Sequence, residues 1–474
     1  MMIFNTFTKK IHIPEDLKKV NEIFQAHGYK AYLVGGAVRD MLLGKEIHDW
    51  DLATNARPEE VMSIFHHVIP TGIAHGTVTI MIFNHQIETT TFRTEASYSD
   101  GRHPDKIKFA PTIEEDLSRR DFTINAIAAD LADGSLIDPF KGQEDLKKKI
   151  IRTVGNPYDR FGEDGLRPVR AIRFASQLNF KIEEKTLEAI NSSQVLEKVK
   201  SISVERFRDE FCKILGAEKP SISLKLLESS GILYHFIPEF IPCRNCIQKD
   251  NRGFHEFDVA DHLIYACDGA PRNNLKVRLA AFYHDIGKPE AKTVETVDGE
   301  TLIHFHGHEG ISEKKCRQSM TSLKFSNSEI DSVAHLVKEH MYFFEDNWSN
   351  AAVRRFIIRI GIDNLDDIMA LRFADVYGMH NCPVKEFSPT WNSNLELRKR
   401  IDAVKNEKSV FSLKNMAVNG KDLIALGIPK GPVIGKILSS LFETITDSPE
   451  MNEKEKLLTL AENLYNEYKA RNFL

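Results

Sequence analysis

No apolar run in the sequence approaches the roughly 18 residues of a membrane span, so no membrane partner is expected. Cysteine is scarce. There are six in 474 residues, and Cys243-Arg-Asn-Cys246 is the one close pair, with no second pair at zinc-site spacing. Two reduced thiols are expected there rather than a structural metal. Excess positive charge is also missing, since 68 acidic residues outnumber 63 basic ones for a formal net charge of -5. A surface for a charged polymer therefore has to be a local patch. Residues 1–10 lack the long apolar core of a secretory leader, and cytoplasm is the expected location. Hydrophobic residues make up 42% and charged residues 28%, as in ordinary globular proteins. The length suggests about three domains.

The most informative stretch runs from Ala31 to Thr54. Tyr32, Leu33 and Val34 form a short apolar strand that Gly35-Gly36 break. Ala37 to Leu43 is helical in character, with Gly44 as its stop. A second strand follows in which Asp49 and Asp51 alternate with Trp50 and Leu52. A period of two puts both carboxylates on one face and both apolar residues on the other. Adjacent carboxylates repel unless a cation lies between them, and oxygen ligands at this spacing suit Mg2+, which also favours phosphate oxygens. The glycine turn offers unpaired backbone N–H groups to a polyphosphate, and Arg39 can add a charge-assisted contact. By itself an Asp-x-Asp pair is often only a surface feature. Joined to Gly-Gly-x-x-Arg-Asp40, it points to phosphoryl or nucleotidyl transfer with metal ions.

Val34-Gly-Gly-Ala-Val-Arg-Asp40 and His48-Asp-Trp-Asp-Leu-Ala-Thr54 resemble the head of the class II tRNA nucleotidyltransferase and bacterial poly(A) polymerase family, within the polymerase-beta superfamily. The resemblance continues to about residue 215. It implies an α+β fold: a polymerase-beta-like head of mixed sheet and helices, then an all-α neck, body and tail. The expected boundaries are 1–153 for the head, 154–220 for the neck, 221–410 for the body and 411–474 for a tRNA-binding tail.

Along the chain, residues 14–28 have amphipathic helical spacing (Leu17, Val20, Ile23, Phe24), and Arg57 to Phe65 reads as a second helix with Pro58 in its first turn. Gly76 to Phe83 and Gln86 to Arg93 read as a hairpin about Asn84-His85. Glu88 falls on a strand expected beside Asp49 and Asp51. The resemblance makes it the third metal-binding carboxylate; otherwise it is an exposed strand glutamate paired with a lysine. Thr94 to Asp105 is polar and irregular, and resembles the family's flexible loop needed for the final adenosine step. Arg119-Arg-Asp-Phe-Thr-Ile-Asn125 resembles a signature that contacts the triphosphate and sugar. Arg120 can bind phosphate in a bidentate fork, and Asp121 can accept from a ribose 2'-hydroxyl. The resemblance also places Arg93, Arg119 and Asn125 at the nucleotide.

Asp159 to Ala175 opens the neck. Glu163 and Arg167 share a helical face, and Arg170 and Arg173 continue a stripe. In the family, Glu-Asp-x-x-Arg is an amino-acid template in which the aspartate and arginine, here Asp164 and Arg167, read the Watson–Crick edge of CTP or ATP. An i,i+4 salt bridge is the plainer reading of the spacing, and Pro168 puts the position of Arg167 in question. Residues 141–220 hold 17 Lys and Arg against 13 Asp and Glu, a mild excess suited to the acceptor end of tRNA.

Beyond residue 221 a scattered set of histidines and aspartates resembles HD-type phosphohydrolases, whose metal ligands map to His262, His284, Asp285, His308, His340 and Asp375. Such ligands suit a divalent transition metal that activates water, although any one histidine alone is more often a core or surface residue. The basic stretches Val353 to Arg359 and Leu397 to Ile401 are expected as solvated helix faces. Val418 to Leu438 has helix, glycine turn and helix punctuation, and resembles the C-terminal region of CCA-adding enzymes.

The function implied is addition of the 3'-terminal CCA of tRNA from CTP and ATP, with release of pyrophosphate and with Mg2+ as cofactor. A poly(A) polymerase shares nearly all these motifs. A phosphohydrolase acting on RNA ends or cyclic phosphates, alone or as a second activity, and a non-catalytic RNA-binding protein are the readings of other classes.

Overall fold

Tyr32, Leu33 and Val34 are buried, and their strand, β1 (Ala31–Val34), lies inside a seven-stranded mixed sheet. The structure, a computed structural model, describes residues 9–47, 49–96, 106–249, 255–297, 300–407 and 411–470. On one side of β1 come β2 (Trp50–Thr54), β5 (His85–Thr91), β4 (Thr77–Ile82) and β3 (Val68–Gly72). On the other come β8 (Ala128–Asp130) and β9 (Leu136–Ile137). All neighbours are antiparallel except β2 and β5, which run parallel with Asp51 opposite Glu88.

The hairpin turn falls at Phe83-Asn84, one residue earlier than expected, and His85 opens β5. Both turn residues have positive φ, 50° and 62°, the two-residue turn whose twist matches that of paired strands. Thr94 to Ala96 is not irregular. It belongs to β6 (Arg93–Ala96), paired with β7 (Lys106–Phe109). The rest of the expected flexible loop, 97–105, lies outside the described residues, as does His48.

Helix Glu15–Ala26 buries Leu17, Val20 and Phe24, and the Phe24 ring meets Phe65 edge-on at 5.1 Å. Pro58 opens helix Pro58–Ile64. The neck stretch is two helices, Pro157–Glu163 and Leu166–Leu178, broken at Asp164-Gly165. A side chain on Gly165 would stand 2.3 Å from the Lys198 carbonyl oxygen, so the break needs glycine. Pro168 is the third residue of the second helix, where its missing N–H forfeits no helical bond. That settles the position of Arg167 in the first turn.

The chain divides into two units, Met1–Pro238 and Glu239–Leu474. In the first, Ile150–Ile151 pairs in parallel with Lys181–Ile182, and Phe122 packs edge-on against Phe174 at 5.7 Å. Sheet and neck helices therefore share packing across residue 153. The second unit is helical with one hairpin, Thr293–Val297 with Glu300–His304, an addition to the helical expectation. Its C-terminal part has a core built on Leu423, Ile437, Leu441, Ile445 and Leu457.

The stretch 353–359 is not a solvated face throughout. Arg354 is buried and donates to the carbonyls of Thr446 and Asp447 at 2.6 and 3.0 Å. These end helix Pro432–Asp447, whose last carbonyls lack partners of their own. Among the described residues, no helix is long and apolar enough to cross a membrane.

Candidate active site and a second polar cluster

Gly35 has φ of 69°, a conformation that favours glycine. A Cβ there would lie 3.1 Å from Arg120 Nη1 and 3.6 Å from Asp51 Oδ2. Parallel pairing puts Glu88 beside Asp51, and Asp49 precedes the strand by one residue. Asp51's carboxyl is pushed up from its ordinary value by burial, then by the charges of Glu88 and Asp49, while Arg120 opposes the shift. Asp51 and Glu88 stand side by side with Asp49 nearby, and a divalent cation would relieve their repulsion, although the ligand atoms of the three do not all lie within 4.8 Å of one another.

Asp116 organises the arginines of this site. It is fully buried on helix Ile113–Ser118 and accepts from Arg119 Nη2 at 2.9 Å, Arg120 Nη2 at 3.1 Å and the Arg93 backbone N–H at 3.3 Å. Burial raises its pKa, but the two guanidinium groups hold it below the ordinary carboxylate value. Its spacing, three and four residues before Arg119 and Arg120, was the signal available in the sequence. The Arg93 guanidinium donates to the His75 carbonyl.

A buried relay runs from the glycine turn to the neck. Asp40 accepts twice from Arg39, at 3.0 and 2.7 Å, and Arg39 Nη1 donates to Asn125 Oδ1 at 2.8 Å. Asn125 Nδ2 donates to Asp121 Oδ1 at 3.1 Å, and Arg170 binds Asp121 Oδ2 through Nε and Nη2 at 2.8 and 2.7 Å. The Phe122 N–H also donates to Oδ1. Against burial, which would raise it, Arg170 and Asn125 lower Asp121's pKa to about 2. With four donors in place, Asp121 has no lone pair to spare. A ribose hydroxyl approaching Asp121 would have to displace one of these donors. Phe174 lies beneath Arg39, Arg170 and Arg173. Arg173 itself turns to buried Glu210.

Asp164 and Arg167 are close in the chain but differently held. Arg167 pairs with Glu163 and donates to the carbonyls of Arg160 at 3.0 Å and Arg119 at 3.2 Å. Asp164 accepts a two-pronged bond from Arg206, at 3.1 and 2.8 Å. Arg206 lies on helix Val204–Leu215, 42 residues away, and no local spacing announces it.

In the second unit the structure brings His262, His284, Asp285, His308, His340 and Asp375 together, all buried. Three glycines allow this. Substituents on Gly269 and Gly378 would strike Tyr377 at 2.4 Å and His262 at 2.6 Å, where helices Val259–Gly269 and Leu365–His380 meet. One on Gly287 would strike the backbone of helix His308–Ser322 at 2.6 Å.

His284, His308 and His340 each place Nδ1 against a main-chain carbonyl, of Ala281, Phe305 and Val337, at 2.9, 2.7 and 2.7 Å. A carbonyl only accepts, so Nδ1 is the donor in each ring and Nε2 points inward. His308 and His340 then face each other Nε2 to Nε2 at 3.3 Å, and His262 meets His284 at 3.0 Å. His262 Nδ1 has no partner among the described residues, so its Nε2 can carry the proton and donate to His284. Burial would raise the Asp285 and Asp375 pKa values. Lys288 and His284 outweigh it at Asp285, as His262 and His284 do at Asp375, and both stay well below the ordinary range. This donor set fits a metal ion. Burial pushes the Cys243 and Cys246 thiols up from their ordinary value.

A mixed sheet that gathers strand carboxylates beneath a glycine turn, faced by arginines, defines a nucleotidyltransferase head. The family model of the poly A polymerase head domain matches residues 31–152. Models of a polymerase A RNA-binding region and of tRNA nucleotidyltransferase domain 2 match 179–243 and 300–461. The chain is 35% identical over 450 residues to the CCA-adding enzyme of Levilactobacillus brevis, covering 94% of this chain and 98% of that one. Against the CCA-adding enzyme of Enterococcus faecalis it is 33% identical, over 95% and 96% of the two chains. It superposes on the crystal structure of the Bacillus stearothermophilus CCA-adding enzyme in complex with CTP with a TM-score of 0.72 at 29% identity, over 97% and 98% of the chains. The chain belongs to the CCA-adding enzymes.

Proposed function

We propose that the chain completes the 3' end of tRNA with CMP and AMP from CTP and ATP, and that Asp49, Asp51 and Glu88 hold the Mg2+ of this reaction. The observation that carries the assignment is Asp51 and Glu88 in register below Gly35, with Arg120 at the rim. Mg2+ bound there supplies the charge that lowers the pKa of the tRNA 3'-hydroxyl and neutralises departing pyrophosphate. Arg120 and the Gly35-Gly36 main chain receive the triphosphate, while Arg39, braced by Asp40 and Asn125, supports the turn from inside. Asp164 accepts from the exocyclic amine shared by C and A, and Arg167 donates to a ring acceptor. U and G present the opposite pattern. Incubating the protein with tRNA lacking CCA, CTP, ATP and Mg2+ tests this. Two CMP and one AMP are expected per tRNA, with Asp51→Asn inactive. AMP without CMP would identify an A-only polymerase.

The histidine cluster supports a second activity, hydrolysis of a phosphate ester at an RNA end or of a cyclic phosphate. His262, His284, Asp285, His308, His340 and Asp375 hold a transition metal, which when bound activates water. Loss of this hydrolysis in His284→Ala, with CMP incorporation intact, is the expected result.

A further inference from the structure

We infer that helix Ile113–Ser118 couples recognition of the base to the grip on the triphosphate, with Asp116 as the positioning residue at its centre. The inference rests on the roles proposed above for Arg167 at the base and Arg120 at the triphosphate, and adds the link between them. On one side of the helix, Asp116 Oδ1 accepts from Arg119 Nε at 3.0 Å, from Arg119 Nη2 at 2.9 Å and from the Arg93 N–H at 3.3 Å. Oδ2 accepts from Arg120 Nη2 at 3.1 Å. Arg120 Nε is buried without a partner among the described residues, and Nη1 stands beside Gly35. A guanidinium held at one nitrogen and unsatisfied at another is set to take an anion.

On the other side, the neck grips the carbonyls that end this helix, which lack helical partners of their own. Arg160 Nη2 donates to the Ser118 carbonyl at 2.8 Å, and Arg167 Nη2 donates to the Arg119 carbonyl at 3.2 Å. Both neck arginines also bind Glu163 Oε2, and Arg167 Nη1 donates to the Arg160 carbonyl at 3.0 Å. Of the five N–H donors of Arg167, Nη1 thus spends two within the neck and Nη2 one on Arg119. The edge left for a base is Nε–H with the second Nη2–H. One nitrogen, Nη2, serves the base and the Arg119 carbonyl together.

The Arg119 carbonyl and the Arg120 N–H belong to a single planar peptide unit. Arg167 holds its oxygen, and the Leu117 carbonyl accepts its N–H at 3.2 Å. A base with an acceptor facing Arg167 keeps this unit in place, and Arg120 stays aligned on Asp116. A base that presents an N–H there, as U and G do, repels the guanidinium, tilts the peptide and turns Arg120 off the triphosphate. The nucleotide is thus judged twice, once at its base edge and once through its phosphates.

Equilibrium binding without tRNA separates the outcomes. Dissociation constants of CTP, UTP, CMP and UMP are measured on the full chain by competition against a fluorescent CTP analogue in Mg2+. In the wild-type chain, the preference for CTP over UTP should exceed that for CMP over UMP by about 10-fold. Asp116→Asn keeps the shape of the side chain and removes its charge; the two preferences should then converge while CMP affinity is unchanged. A merely structural role would weaken CMP along with CTP and leave the two preferences apart. Arg160→Gln, which releases the Ser118 carbonyl without altering the buried aspartate, should also narrow the gap, and carries the test if Asp116→Asn does not fold. Equal preferences in the wild-type chain, or a gap that the folded variants leave intact, would overturn the coupling and leave the base reading standing. Equal affinity for CTP and UTP would overturn both.

Discussion

Asp51 carries a conflict between folding and catalysis. Its carboxylate is desolvated and repelled by Glu88 and Asp49, so in the metal-free chain the charged form is penalised. Asp51→Asn should abolish nucleotide incorporation while raising the metal-free melting temperature by about 2 °C, measured by calorimetry. Asp121 is the opposite case. Its pKa of about 2 lies below the ordinary 3.8, so the stability it contributes is complete above the unfolded value and fades as pH falls toward 2. Removing its main partner with Arg170→Gln should therefore cost on the order of 2 kcal/mol near neutral pH. That gap should shrink below about pH 4 in urea titrations. The alternation of Asp49-Trp50-Asp51 made the carboxylates legible in the sequence. The saturation of Asp121 was not legible, because its donors come from residues 122, 125 and 170 and depend on how the neck helix packs.

Local elements were readable where one short stretch decides them. Strand β1, the glycine turn and the proline-led helix Pro58–Ile64 follow from periodicity and capping. The break at Asp164-Gly165 was harder, because a continuous i,i+3 arginine stripe imitates one long helix. The break separates Asp164 from Arg167, each with its own partner, and makes Arg206 the element that fixes Asp164. Arg206→Ala should lower CMP and AMP incorporation at least 10-fold and raise the relative use of UTP and GTP, with Arg206→Lys intermediate because an ammonium cannot reproduce a planar two-pronged bond. Competition assays with the four nucleotides check this. If selectivity is unchanged in Arg206→Ala, the arginine is no more than a structural tie.

Across the whole molecule, the nucleotidyltransferase head and the histidine cluster occupy separate compact units, each with its own core. Asp51→Asn and His284→Ala should therefore have additive, non-overlapping effects. The first should remove nucleotide incorporation and leave the metal bound by the histidine cluster unchanged; the second should do the reverse. Parallel incorporation and metal-content measurements on both variants check this. The sequence carried the histidine cluster through short patterns such as His284-Asp285-Ile-Gly-Lys288. The close helix approaches at Gly269 and Gly378 bring 262 and 375 together across more than a hundred residues, and only a folded chain reveals them.

Three of the imidazoles take their bearing from a carbonyl three residues earlier in their own backbone. Each ring is thus steered by the turn it sits on, before any distant helix arrives. With no ion present, the three Nε2 atoms are already trained on the interior of the cluster. Loading a metal there would require no rearrangement of these side chains, only passage of the ion.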